Sequence, residues 1–137
     1  MIAQIGDRWS KDGEKQKVWL LTGAAYKNGV INYIGKDKTP VGQVLVDAGK
    51  TMNGKRLFVT VQFWEGRVGL AMKVKRFDRV LAIGTLRKMQ NKATGTIYYS
   101  INSSFFQRED KPKKYYTNTP KTFDLEDYRG DLKDDPF

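Results

Sequence analysis

The sequence predicts an all-β protein built on a small barrel, and the leading candidate is the OB-fold, a five-stranded antiparallel Greek-key barrel. Three observations lead to this fold class: several short runs of strand-forming residues, glycine-bearing turns between them, and room for at most one short helix. All of the predicted strands fall within residues 18–107. Composition alone does not separate the OB-fold from an SH3-like barrel or a small sandwich.

Four parts are expected along the chain. Residues 1–17 are polar and read as an N-terminal extension with Trp9 as its single bulky anchor, and residues 18–107 form the barrel domain. Residues 108–122 are a basic linker, and residues 123–137 are a flexible acidic tail. A length of 137 residues suits one domain of ordinary size. Because neither a signal-peptide core nor a run of about 18 apolar residues is visible, we expect a soluble, cytoplasmic protein.

The first two strands, VWLLTGAA and VINYIG, are expected to form a hairpin. They flank the segment YKNG, and Asn28-Gly29 is typical of a tight turn between paired strands. Pro40 and Gly42, in DKTPVG, are expected to interrupt regular structure before the third strand, QVLVDAG. A second Asn-Gly turn, KTMNGK, then leads into the fourth strand.

The fourth strand, RLFVTVQFW, can be divided by face because successive side chains of a strand point to opposite sides of the sheet. One face is apolar and is predicted to line the core: Leu57, Val59, Val61 and Phe63. The other face combines two large aromatic side chains with two polar ones: Phe58, Thr60, Gln62 and Trp64. This second face indicates a half-wet surface with stacking groups. The alternative is that another element covers Phe58 and Trp64.

The remainder of the domain is expected to contain one short helix and two strands. EGRVGLAMKVKRFDR is basic and interrupted by glycines, so it holds at most a turn or two of helix around GLAMKVK. VLAIGTLRKM and TGTIYYSINSSFFQ are the last two predicted strands, and QNKATG is the turn between them.

The charge of the chain is unevenly distributed. The formal net charge of +10 indicates a polyanionic partner. Residues 1–122 carry 23 Lys and Arg against 9 Asp and Glu, whereas residues 123–137 carry 2 against 6, which gives net charges of +14 and −4. Because the two parts attract each other, we expect the tail to fold back on the basic groove when nucleic acid is absent. The alternative is that the segregation arises by chance.

Several classes of chemistry are excluded or disfavoured. The chain has no cysteine and no histidine, which rules out disulfides, thiolate or imidazole metal sites, Cys/His proteases and Ser-His-Asp hydrolases. Asp47, Glu65 and Asp78 lie in three different segments, so they do not form the carboxylate pair that a Mg²⁺-dependent nuclease needs. No glycine-rich phosphate loop is present. We therefore expect no enzymatic activity, no metal and no cofactor.

The residues that remain suit single-stranded nucleic acid. Binding without sequence reading needs a cationic groove for the phosphates and flat side chains on which bases stack, and this sequence interleaves the two. The predicted nucleic-acid-binding residues are Trp19, Tyr26, Tyr33, Lys55, Arg56, Phe58, Trp64, Lys73, Lys75, Arg87, Lys88 and Tyr98. Further basic residues, Arg76 among them, lie in the same segments. Each lysine taken singly is better explained by solvation than by binding, so the prediction depends on the whole set.

The last four residues suggest a docking peptide. Asp134, Asp135 and the terminal carboxylate surround Pro136 and Phe137 with negative charge. A partner with an apolar pocket rimmed by Arg or Lys would hold the ring in the pocket and the carboxylates by charge-assisted hydrogen bonds. We expect these residues to dock a partner protein. A terminus without a role is the alternative.

Taken in order, these segments resemble the bacterial and phage single-stranded-DNA-binding protein (SSB) family. KVWLLTG, TPVGQVLVDAG and KRLFVTVQFWEG are similar to its first three strands, and VLAIGTLRK and TIYYSINSSFFQ to its last two. DDPF is similar to the acidic tip, ending in Pro-Phe, by which family members recruit replication, recombination and repair enzymes. The resemblance covers residues 18 to about 107 and the final four residues.

The resemblance implies an OB-fold protein that binds single-stranded DNA with little sequence preference, usually as a homotetramer, so that a tetramer or a dimer is expected here. It places Phe58 and Trp64 at positions of base-stacking aromatics and makes Asp134 to Phe137 the partner-docking residues. The chain departs from the family in its reduced helix, its longer first connection, YKNGVINYIGKDK, its N-terminal extension and its nearly absent Gly/Gln-rich linker. These departures fit a phage- or plasmid-encoded member.

Two other functions remain open on the sequence. An RNA- or duplex-binding OB or cold-shock-like module fits the same basic residues, because phosphates of all nucleic acids attract lysine alike. A protein-interaction scaffold, in which the aromatic side chains bind another protein and the basicity is incidental, is the second.

Overall fold

The computed structural model of the chain describes residues 1–110 and the backbone of residues 133–134. The strands are β1 (Ile2–Trp9), β2 (Lys15–Ala25), β3 (Val30–Ile34), β4 (Thr39–Lys50), β5 (Arg56–Phe63), β6 (Arg79–Gln90), β7 (Ile97–Glu109) and β8 (Lys133–Asp134). One 3₁₀ helix, Glu65–Lys73, connects β5 to β6. In the described part, no helix is long and apolar enough to cross a membrane. Most of the predicted basic linker and nearly all of the acidic tail lie outside the described residues.

Five strands close into a ring, and this confirms the predicted OB-fold. The ring runs β2–β4–β5–β7–β6 and returns to β2 through the β2–β6 pairing. Four of its pairs are antiparallel, as predicted, whereas β5 and β7 run parallel. Three further strands add to the ring: β1 pairs with β2, β3 pairs with β4, and β8 pairs with β6.

The predicted N-terminal extension is a strand of the sheet instead. β1 pairs with β2 from Ile2 opposite Leu21 to Trp9 opposite Lys15, and Ile2 is buried in the core. The α-amino group of Met1 donates hydrogen bonds to two backbone carbonyls, one in β2 and one in β4. The expectation failed because most side chains of β1 are exposed. A strand of this kind lacks the apolar alternation by which strands are recognised.

The predicted hairpin between the first two strands is also wrong, because β3 pairs with β4 and not with β2. The tight turn lies at Gly35–Lys38, where the Lys38 amide donates to the Gly35 carbonyl at 3.2 Å. Gly29 serves a different purpose: a Cβ there would overlap the carbonyl oxygen of Ala71 in the 3₁₀ helix. Pro40, expected to interrupt regular structure, lies within β4.

The division of β5 by face is confirmed on the core side. Its four apolar side chains are at most 7% exposed: Leu57, Val59, Val61 and Phe63. The Phe63 ring meets the Phe106 ring edge to face, with centroids 4.8 Å apart. The other strands of the ring complete the core with Trp19, Leu21, Ala25, Val44, Val46, Ala48, Val80, Ala82, Leu86, Tyr99 and Ile101. The core is therefore continuous around the closed barrel.

Candidate nucleic-acid interface

The side of the sheet that points away from the core carries polar and aromatic residues in rows across four strands. The strand register sets two complete rows from β4 through β5 and β7 to β6, namely Gln43–Gln62–Asn102–Thr85 and Leu45–Thr60–Ser100–Arg87. A third row is formed by two adjacent pairs, Asp47–Phe58 and Tyr98–Met89. We call these twelve residues the outer face. Three of the predicted binding residues, Phe58, Arg87 and Tyr98, lie on it.

The middle of the outer face contains polar atoms that need partners. Arg87 lies opposite Ser100 in the β6–β7 register. Arg87 Nε and Ser100 Oγ are both screened from solvent, and within the described residues neither has a hydrogen-bond partner. A buried polar atom without a partner is unfavourable, so each one needs a structural or functional explanation. Arg87 can supply the charge that a phosphate requires.

Trp64 is oriented by a hydrogen bond next to the outer face. Its indole Nε1 donates to Asn102 Oδ1 at 3.1 Å, which joins the end of β5 to β7. The side chain is half-buried. One part of the ring is therefore fixed by the protein while another part remains accessible, as a stacking residue requires.

An aromatic cluster continues the outer face beyond Phe58. We define it as Tyr26, Phe58, Arg76 and Phe77. The Tyr26 and Phe58 rings meet edge to face with centroids 5.1 Å apart. The Arg76 guanidinium lies 4.5 Å from the Phe77 ring centroid and 6.0 Å from that of Tyr26. Phe58 is 37% exposed and Phe77 is 48% exposed, so flat aromatic surface and positive charge face solvent together.

Hydrogen bonds from backbone amides to side-chain oxygens hold the cluster in place. Asn28 Oδ1 accepts a hydrogen bond from the Arg76 amide at 2.8 Å, which ties the segment after β2 to the segment before β6. The buried carboxylate of Asp78 accepts one from the Lys75 amide at 2.8 Å. The turn at residues 75–78 therefore has a fixed shape.

Arg108 connects this turn to the end of β7. Its guanidinium donates to Asp78 at 2.9 Å and to Asp110 at 2.8 Å. Hydrogen bonds to Asp110 and to Asp78 raise the pKa of Arg108 above its ordinary value. The pairing keeps the Asp78 carboxylate in position behind the turn.

Trp19 is a correction to the predicted site. Its side chain is 2% exposed and belongs to the core cluster, since it faces the barrel interior from β2. A ring in that position cannot stack on a base while the barrel is folded. Basic neighbours in sequence had suggested a surface position, but the strand alternation turns Trp19 inward and its neighbours outward.

The remaining predicted residues are spread around the barrel. Lys55 and Arg56 lie at the turn between β4 and β5, where Arg56 forms an ion pair with Asp47. Tyr33 is exposed on β3. The others are Lys73 at the end of the 3₁₀ helix, Lys75 in the turn before β6, and Lys88 opposite Tyr99. The structure therefore gathers Tyr26, Phe58, Trp64, Arg87 and Tyr98 around the outer face and leaves Tyr33 on a neighbouring strand.

The predicted docking residues fall in the part of the chain that is not described, with one exception. The backbone of Asp134, in β8, pairs with Lys88, and Lys133 pairs with Arg87. Asp135, Pro136 and Phe137 lie outside the described residues.

Arg76 and Phe77 are the cluster members that the sequence did not single out. Arg76 appeared only as one of many basic residues, and Phe77 not at all. Neither belongs to a strand, so no alternation marks them as exposed. The tripeptide Lys75-Arg76-Phe77, two cations followed by an aromatic residue, is the only local signal.

Acidic ligands for a metal are not clustered in the described residues. Among residues 1–110 and 133–134, no group of three or more His, Cys, Asp or Glu side chains could hold an ion.

Two solved structures with a similar fold are described as single-stranded-DNA-binding proteins. A deletion mutant of the single-stranded DNA binding protein from Thermus aquaticus aligns with a TM-score of 0.53 and 18% identity, over 77% of this chain and 48% of that chain. The small single-stranded DNA-binding protein from Streptomyces coelicolor aligns with a TM-score of 0.51 and 14% identity, over 67% of this chain and 90% of that one. At these identities the likeness establishes the fold alone.

This chain spans about half the length of the Thermus aquaticus protein, with 48% of that chain covered. No protein-family model matches the sequence, and no curated protein does.

Proposed function

We propose that this chain is an SSB-family protein that binds single-stranded DNA with little sequence preference. The observation that carries the proposal is the aromatic cluster at the edge of the outer face. In it, the exposed rings of Tyr26 and Phe58 stand beside the guanidinium of Arg76, and Arg87 lies on the outer face two strands from Phe58. The shared fold with two proteins described as single-stranded-DNA-binding supports the same function.

The chemistry of this surface suits a single-stranded nucleic acid, which offers unpaired bases for stacking and a charged phosphate backbone. An aromatic ring stacks on any base, and each stacked base contributes about 1–3 kcal/mol. Arginine and lysine contact phosphates, which are the same in every sequence. Binding is therefore expected to show strong salt dependence and little sequence discrimination, and no catalysis is proposed.

Tryptophan fluorescence tests the proposal directly. Trp64 is half-buried beside the outer face, so its emission should be quenched when unstructured oligo-dT binds, less so at higher salt and not with a duplex of equal length. The variant Trp64→Phe should lose most of this signal while still binding. A response of equal size to the duplex, or tighter binding of single-stranded RNA, would support a duplex- or RNA-binding module instead.

We extend the proposal to the roles of the tail. The four residues Asp134, Asp135, Pro136 and Phe137 combine carboxylates with an apolar ring, which suits a basic-rimmed pocket on a replication, recombination or repair protein in the cytoplasm. The protein would then coat and protect single strands while bringing such partners to them. Removing the four residues should abolish partner binding and leave the affinity for oligo-dT intact or higher. The departures from the family favour a phage- or plasmid-encoded member.

Self-association is proposed through another part of the sheet. The strand register aligns four apolar residues on the side away from the core, running from β1 through β2 and β6 to β7: Ala3, Leu20, Ile83 and Phe105. We call them the apolar row. Phe105 is exposed, whereas Ala3, Leu20 and Ile83 are half-buried. Ile5, two residues after Ala3 on β1, is exposed as well. Exposed apolar residues in a contiguous group mark association surfaces, so we propose that this row packs against a second copy.

A further inference from the structure

We infer that Arg76, Phe77 and Tyr26 form a subsite for one unstacked nucleobase at the end of the proposed interface, an inference that rests on the proposed function. The structure has an open depression of about 320 Å³ at this point, lined by Tyr26, Lys27, Asn28 and Arg76. Small-ligand sites occupy about 300–1,000 Å³, so this volume suits one base with its sugar and not a run of stacked bases.

The backbone of Phe77 is the first observation behind the subsite. Its φ is +73°, in the left-handed region that favours glycine and is an outlier for a bulky residue. The Phe77 amide nevertheless donates to the Ala25 carbonyl at 2.7 Å, so the surrounding structure holds this conformation. Strained residues persist mainly at functional sites. A large apolar side chain that is 48% exposed in such a position gains little from folding, which points to a ligand as its purpose.

The guanidinium of Arg76 is the second observation. It lies over the Phe77 ring at 4.5 Å, and Arg76 also lines the depression. No acidic side chain in the described part of the chain forms an ion pair with it. Guanidinium planes stack on bases. The base therefore extends a stack that begins at Phe77 and continues through Arg76, with Tyr26 as its side wall.

Lys27 completes the subsite. It lines the depression next to Asn28, whose side chain fixes the Arg76 backbone. A base held on Arg76 brings its own phosphate to the rim of the depression, where the Lys27 ammonium can contact it. The subsite adjoins Phe58 through the edge-to-face contact of Phe58 with Tyr26, so the strand can pass from one stacking position to the next. In this arrangement Phe77 is a positioning residue, and Arg76 is the group that touches the base.

The test compares three variants by fluorescence anisotropy of labelled oligo-dT at several salt concentrations. Phe77→Gly removes the ring that orients Arg76 but suits the backbone conformation, so it should fold at least as stably as the parent and bind about 2- to 30-fold more weakly with an unchanged salt slope. Phe77→Tyr should retain binding. Lys27→Gln, which removes the proposed phosphate contact, should weaken binding and reduce the salt slope by about 0.7, the value for one phosphate contact on a single strand.

Trp9→Ala is the matched control. Trp9 is an exposed aromatic residue that pairs with Lys15, the first residue of β2. The Phe77 amide bonds to Ala25, the last residue of β2, so the two aromatic residues lie at opposite ends of this strand. Full affinity in the Trp9 variant together with the losses above supports the subsite. Equal affinity of Phe77→Gly and the parent, or an equal loss in the Trp9 variant, overturns the subsite alone. Failure of the parent to bind oligo-dT overturns the proposed function together with the subsite.

Discussion

Phe58 is the single residue that belongs to both the outer face and the aromatic cluster. It lies opposite Asp47 in the sheet register and meets the Tyr26 ring at 5.1 Å. Its partly exposed ring can stack on a base, and the same ring contacts Tyr26. A change at this position therefore affects two stacking residues at once.

We predict that Phe58→Ala weakens oligo-dT binding by at least the value of one stacked base, about 1–3 kcal/mol. Stability should fall by about 1.5–3 kcal/mol, since the contact with Tyr26 and the apolar burial of the covered part of the ring are both lost. Anisotropy titration and chemical denaturation measure the two quantities. Met52→Ala, at an exposed position in the adjoining turn, is the control and should leave both unchanged. If the two substitutions changed the affinity for oligo-dT equally, Phe58 would not be part of the interface.

Residue-scale prediction from the sequence succeeded where the side-chain alternation was regular and failed where it was not. Phe58 was placed on the outside because its neighbours Leu57 and Val59 are apolar. Trp19 sits in a run that is apolar on both sides, VWLLTG, so its face could not be read. Phe77 was missed because its position depends on a positive φ, which local sequence does not reveal in a non-glycine residue.

At the scale of elements, the ring strands were predictable, whereas the two added strands β1 and β3 were missed or paired wrongly. β5, β6 and β7 have clear apolar periodicity, and the turns at KTMNGK and QNKATG were located correctly, with Gly54 and Gly95 at positive φ. β3 was paired with the wrong neighbour because the Asn28-Gly29 signal is local, whereas the glycine is required by the distant 3₁₀ helix. β1 was missed because its side chains are mostly solvated.

The bulge between β6 and β7 requires glycine at position 84, because there is no room for a side chain. The β6–β7 register shifts between Ile83 and Gly84, and a Cβ at Gly84 would overlap the carbonyl oxygen of Asn102. We predict that Gly84→Ala destabilises the protein by about 1–3 kcal/mol, the usual cost of overpacking, as measured by urea denaturation. Because Asn102 also positions Trp64, the Trp emission should change as well.

The control for this prediction is Gly69→Ala. Gly69 lies in the 3₁₀ helix, and a Cβ at this position would have no atom within 4 Å, so alanine there should be neutral or slightly stabilising. Unchanged stability of Gly84→Ala would mean that the bulge can relax.

At the scale of the whole molecule, the acidic tail should compete with DNA for the basic surface of the barrel. The backbone pairing of β8 with Arg87 and Lys88 is consistent with an acidic segment lying along the basic surface. We predict that deleting residues 123–137 tightens oligo-dT binding at low salt. The gain should shrink as salt rises, since the screening length falls to about 3 Å at 1 M. Affinity that is unchanged at low salt would contradict a folded-back tail.

The apolar row leads to a second prediction at this scale. Phe105→Glu would place a charge in the proposed contact between copies, so sedimentation should show a smaller assembly at the same protein concentration. Binding of a short oligo-dT per protomer should persist, because Phe105 lies outside the outer face and the aromatic cluster. Gln90→Glu, which adds the same charge at an exposed end of β6, is the control. An unchanged assembly in the Phe105 variant would exclude this surface.

The closed ring has a consequence for how the chain reaches its structure. Closure requires Trp19 in β2 to meet Gly84 in β6, and Val59 in β5 to meet Tyr99 in β7, so the decisive contacts join distant segments. Barrels dominated by such contacts fold in about milliseconds to seconds, much more slowly than helical bundles. During synthesis, the free edges of β2 and β5 stay unpaired until β6 and β7 emerge from the ribosome. β6 and β7, which complete the ring, are thus made last, and the nascent chain is most exposed to aggregation just before they arrive.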